Sequence, residues 1–257
     1  MRVYFSGSAL TFLLLILAGV AAAQSAPTSQ PDLNAIVSRM EQVQLQNRAR
    51  MVPYTVTRRY ELTGNSTESG TSAAAVADIN FDPPDQKTYA IKYSDGGRVE
   101  KVVEKILDRE ADYARSGKKV SFSRDDYDFT YLGQGLIDAQ TYIVLGITPK
   151  LQDKDLLKGK IYVDPSSYQI RRFEGQPAKN PSWWLKDVQL LTEYGQVGPM
   201  WLQTSSRGSA NVRLFGTHVM TARDIGYRSE VARLQAPLTA KKRVRRPTTA
   251  VGAGILR

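Results

Sequence analysis

Cysteine is absent from the 257 residues, and histidine occurs once, at His218. Without cysteine there is no disulfide, no thiol nucleophile, no thiolate metal site and no acylated cysteine to anchor the chain to lipid. A secreted domain of this kind must therefore be stable from its core alone. A single histidine leaves nucleophilic triads without their usual base, and a lone histidine inside a strand pattern reads as a cross-strand neighbour. Zinc sites need several His or Cys ligands at set spacing, and the chain has no phosphate-binding or dinucleotide glycine fingerprint. Asp125, Asp126 and Asp128 lie close together but lack the glycine turn and distal glutamate of a calcium loop. They read as a solvated turn, and Asp108, Glu110 and Asp112 as a wet helix face. No catalytic residue, no metal site and no cofactor is expected, and the chain reads as a non-enzyme.

The net charge of +10 is unevenly spread. Seven of the 35 bases, Arg2 with Lys241, Lys242, Arg243, Arg245, Arg246 and Arg257, lie at the two ends where no acid accompanies them, which leaves 28 bases against 25 acids in residues 24–239. The body is near neutral, so the basicity is not a nucleic-acid footprint. The first 23 residues combine Arg2, an apolar run from Ala9 to Val20 and Ala21-Ala22-Ala23, the pattern of a cleaved secretory signal and too short for a comfortable membrane span. Residues 24–30 form a Ser/Pro/Gln linker, residues 31–232 the folded domain, and residues 233–257 a basic tail. The tail lacks periodicity and is expected to be disordered, with its bases available to an anionic membrane surface.

Within the body, Leu33, Ile36, Val37, Met40 and Val43 make one helical stripe, opened by Pro31 and Asp32. Alternation from Val52 to Leu62 and an alanine-rich run from Ser72 to Phe81 read as strands joined through Gly64-Asn65-Ser66. Asp82-Pro83-Pro84-Asp85 breaks the chain before a third strand, Lys87 to Ser94, and Val99, Val102, Val103, Ile106 and Leu107 mark a second helix that Gly117 stops. Strand then resumes from Lys118 through Leu132, with Gly133 to Asp138 as a turn. The stretch Thr141 to Gly175 reads as an antiparallel meander, its runs separated around Pro149 and at Asp164-Pro165-Ser166-Ser167. Trp183 to Tyr194, Met200 to Ser206, Ser209 to Phe215 and Val219 to Tyr227 complete about ten strands, with Gly195 to Gly198 as a turn. Two early helices and one long antiparallel sheet argue an α+β fold.

Small side chains at Ala73, Ala75 and Ala77, on one face with Ile79 and Phe81, leave volume for a covering helix or a ligand. Read through the alternation, Tyr54, Val56, Tyr60, Ala75, Ala77, Ile79, Tyr89, Ile91, Ile143, Leu145, Ile147, Val188 and Leu190 project to one side of the sheet. A long sheet that twists must curl, so this face either lines an apolar cavity or is filled as a solid core. Leu33, Ile36, Val37 and Met40 would present the covering helix.

An exported chain that opens with an amphipathic helix, continues with an alanine-rich strand, a proline break and a strand ending in Tyr93-Ser94-Asp95-Gly96-Gly97, and later carries TYIVLGITPK and GKIYVDPSSYQIRRFEG, resembles the LolA-like outer-membrane lipoprotein-sorting proteins. The resemblance covers roughly Pro31 to Tyr227. It implies a single curved antiparallel sheet forming an unclosed β-barrel covered by two helices, whose concavity holds acyl chains of lipoproteins or other lipids. It also implies a monomeric periplasmic carrier working between an inner-membrane exporter and an outer-membrane acceptor. In the family proper an arginine precedes the proline that opens the third strand and latches the lid; here Pro83 precedes Pro84, so that latch is not carried over. A helical pattern also follows Gly97 where the family has a short aromatic strand. The related RseB-like architecture, a periplasmic lipid-sensing or interaction module, and a shuttle of other lipids for an exporter are the alternatives.

Overall fold

The computed structural model describes residues 32–64, 72–117, 121–183, 185–213 and 216–229. The expected signal, linker and basic tail lie outside these residues, as does most of the turn after Gly64.

Helix α1 (Leu33–Ala49) starts where the sequence places it. The Asp32 carboxylate accepts hydrogen bonds from the backbone N–H of Asn34 and Ala35, at 2.9 and 3.3 Å, satisfying two donors with no partner inside the helix. Its stripe buries Ile36, Val37 and Met40. Helix α2 (Gly97–Arg115) buries Val99, Val103, Leu107 and Ala111, and Gly117, at φ +66°, supplies the left-handed residue just past its end.

Ten strands form one open antiparallel sheet: β1 (Tyr54–Gly64), β2 (Ser72–Asp82), β3 (Gln86–Ser94), β4 (Tyr127–Ile137), β5 (Gln140–Pro149), β6 (Leu157–Val163), β7 (Ile170–Pro177), β8 (Leu185–Val197), β9 (Met200–Val212) and β10 (Gly216–Ser229). Their order is β3-β2-β1-β10-β9-β8-β7-β6-β5-β4. Two meanders are thus joined by pairing β1 with β10, and the barrel stays unclosed because β3 and β4 remain its two edges. Helix α2 is the connection between those edges. The result is the α+β architecture anticipated above.

Several boundaries differ for local physical reasons. Gly133 to Asp138 is not a turn: Gly133 to Ile137 belong to β4, and the reversal is a tight two-residue turn at Asp138-Ala139, both at positive φ. The glycines serve other ends. Gly133, at φ +101°, adjoins a register shift after Tyr131, and a Cβ at Gly135 would lie 2.9 Å from both Tyr162 and Val144. The segment from Phe122 to Asp126 is loop rather than strand. Gly195 stays within β8, whose turn falls at Gly198-Pro199, and Ser209 to Val212 continue β9 because the ladder runs unbroken through Gly208, paired with Leu190 and Met220. The turn at Asp164 forms as read, its carboxylate accepting from the backbone N–H of Ser166 and Ser167.

Candidate functional site

The inward face of the sheet carries two apolar clusters, each under its own helix. Under α2, Val99, Val103 and Leu107 pack on Val56, Tyr60, Ala75, Ala77, Ile79 and Ala222, with Tyr54, Tyr89 and Ile91 at the margin. Ala75 and Ala77 are wholly buried, so α2 occupies the volume that the small side chains leave. Under α1, Ile36, Val37 and Met40 pack on Ile143, Leu145, Ile147, Ile161, Val163 and Phe173, with Leu33, Leu190 and Tyr194 at the margin. The one-sided face read from the alternation is therefore divided between two covered regions. Val188 joins neither; it stands half-buried where the register of β8 shifts between Lys186 and Gln189.

The helices are held differently. The Gln44 side chain exchanges two hydrogen bonds with the backbone of Phe122, each 3.0 Å, and Asn47 does the same with Trp201 at 2.7 Å. Glu41 accepts from the Arg124 N–H at 2.7 Å, while the Arg124 guanidinium reaches the Asn34 carbonyl. Helix α1 is thus tied to neighbouring backbone along its length. Among the described residues the polar ties of α2 run from side chain to side chain: Glu110 to Lys87 and Arg58, Asp108 to Tyr89, Arg109 to Asp155. Such pairs at a partly wet margin contribute little each.

At the margin of the α2 cluster sits a polar spot. Arg58 falls on the inward side of β1 between Val56 and Tyr60, and is only 7% exposed. A bulge at Ile225, where Thr57 pairs with Gly226 but Arg58 with Asp224, brings both Asp224 and Tyr227 to the inner side of β10. Arg58 donates from Nε to Asp224 Oδ1 at 2.5 Å and from Nη2 to Oδ2 at 3.4 Å. Its Nη1 lies 3.7 Å from Glu110 Oε1, whose other oxygen accepts from Lys87. Burial alone would lower the Arg58 pKa, but the bond to Asp224 and the charge of Glu110 raise it further, so the guanidinium stays charged. Burial pushes the Tyr54 phenol up to about 12, and the buried Tyr60 and Tyr227 hydroxyls meet no hydrogen-bond partner at bonding geometry among the described residues. A partly enclosed pocket of about 100 Å³ opens here, bounded by Arg58, Lys87, Glu110, Asp224 and Gln203 and by the apolar Tyr54, Val56 and Leu202.

Sequence reasoning passed over this group, although an arginine in the apolar half of an alternating strand was a visible signal. Its partners were not legible, because they come from α2, β3 and β10. His218 is the cross-strand neighbour it was read as, its ring over Gly64 opposite. No set of acidic or histidine side chains among the described residues is arranged to hold a metal ion.

No protein-family model matches the chain, and no characterised protein matches it significantly by sequence. Among solved structures it is similar to an outer membrane lipoprotein-sorting protein domain from Vibrio parahaemolyticus, at 13% identity and a TM-score of 0.45, over 76% of this chain and 93% of that one. It is similar also to a DUF1329 family protein from Desulfovibrio piger, at 12% identity and a TM-score of 0.43, over 77% and 91%. The third is a LolA superfamily protein from Nitrosomonas europaea, at 10% identity and a TM-score of 0.39, over 76% and 92%. In fold, this chain is similar to these proteins.

Proposed function

We propose that the chain is a non-enzymatic periplasmic carrier that takes acyl chains of lipids or lipoproteins onto the inner face of its sheet, beneath α2, for transfer toward the outer membrane. The observation that carries this reading is the manner in which α2 covers its cluster: an apolar stripe on an alanine-floored sheet, secured at the rim, among the described residues, by side-chain pairs. A helix held in this way can lift as a unit and exchange its own apolar contacts for those of a ligand. Helix α1, tied to backbone, stays and keeps the other half of the concavity shut. About ten buried methylenes supply about 8 kcal/mol, which is the scale of micromolar affinity, before the cost of lifting α2. The leader-like first residues and the family resemblance of the sequence agree with an exported carrier.

The reading is tested by native mass spectrometry of the protein isolated from the periplasm, with extraction of bound lipid, alongside uptake of a fluorescent fatty acid. Co-purifying lipid and saturable uptake are the expected results. Protein that carries no lipid and takes up no probe overturns it.

A further inference from the structure

Four charged side chains from three strands and a helix converge on the polar pocket beside α2. We propose that it reads the head of the bound amphiphile and selects an uncharged, hydroxyl-bearing head of glycerol size; this rests on the carrier function proposed above.

Charge balance comes first. Arg58 and Lys87 oppose Glu110 and Asp224, so the pocket is neutral as a set. An anionic head entering it meets two carboxylates, and a quaternary ammonium meets a guanidinium and an ammonium; either displaces a pair already formed. Hydrogen-bond valence comes second. Arg58 commits Nε and Nη2 to Asp224 and leaves Nη1 pointing toward Glu110 Oε1 across 3.7 Å, beyond hydrogen-bonding distance. A hydroxyl placed there accepts from Nη1 and donates to the carboxylate, satisfying both, which neither a bare anion nor a methylated cation can do. Size comes third. A water needs about 10–15 Å³ of such space, so about 100 Å³ admits a head of several heavy atoms. Tyr54 and Val56 belong both to the pocket wall and to the cluster under α2, so a head placed here leads its chain directly into the apolar region.

The test holds the chain constant and varies the head: monopalmitoylglycerol, palmitate and hexadecyltrimethylammonium are titrated against the full-length protein by displacement of a fluorescent single-chain probe, below their micellar concentrations. Monopalmitoylglycerol is expected to bind at least about tenfold more tightly than either ion, the scale of one satisfied hydrogen bond to a charged group. Millimolar free glycerol should leave it bound; displacement by glycerol overturns the assignment to a lipid head. Glu110→Gln should shift the preference toward palmitate, and Lys87→Met toward the ammonium amphiphile, each by about tenfold, with circular dichroism confirming the fold. Both variants spare the Arg58–Asp224 pair. Equal affinities for the three heads, or equal losses for all three in both variants, overturn the selectivity while leaving the carrier function standing. Failure of all three to bind overturns both.

Discussion

Replacing Leu107 by alanine probes whether α2 is a separable cover. Leu107 is 1% exposed in the helix stripe, in one buried cluster with Val99, Val103, Val56 and Ile79. A buried leucine cut to alanine costs about 2–5 kcal/mol, set by how far the neighbours close the space. If α2 opens independently, the loss falls on the local opening equilibrium, which rises by roughly 30-fold to a few thousandfold at 1.4 kcal/mol per decade. Hydrogen exchange followed by mass spectrometry should then show α2 amides exchanging faster by that factor while α1 amides, held through Gln44, Asn47 and Glu41, are unchanged. Fatty-acid uptake should become faster in the same variant. Equal acceleration in both helices would mean that α2 leaves only when the whole sheet unfolds, and would refute the reasoning.

Three further outcomes follow from the same structure. Because the chain has no cysteine, Tyr89→Cys with Asp108→Cys, at positions whose native side chains meet across the α2 margin, can be joined by a short cleavable thiol crosslinker; uptake should stop when the bridge is closed and return when it is cut. Asp32→Ala removes the acceptor of two helix-start hydrogen bonds, at about 1 kcal/mol, so thermal unfolding should begin about 2–4 °C lower. Burial by itself would raise the Glu193 carboxyl, but hydrogen bonds from Arg172 and Ser205 outweigh it and hold it below 4.5; its stabilising contribution is complete above that value and is lost as pH falls through the depressed one. Glu193→Gln should accordingly flatten the fall in melting temperature as pH drops below 4.5.

Much of the fold is legible locally. The α1 and α2 stripes, the Gly117 stop and the Asp164 turn depend on residues within a few positions of one another, and each forms where the sequence places it. Alternation along β1 and β2 likewise puts Val56, Tyr60, Ala75 and Ala77 on the covered side. Glycines misled where they fill roles other than turns: Gly135 admits Tyr162 and Val144, and Gly208 sits inside an unbroken ladder. Only the tertiary structure decided that β1 pairs with β10, that one apolar face is shared between two helices, and that Arg58 meets Asp224 from 166 positions away. The bulge that turns Asp224 and Tyr227 to the same side breaks the two-residue period on which strand reading rests. Periodicity reports which side of an element is apolar, because that is a property of neighbouring residues; which charges share a pocket is set by the pairing of distant strands, and no local pattern encodes it.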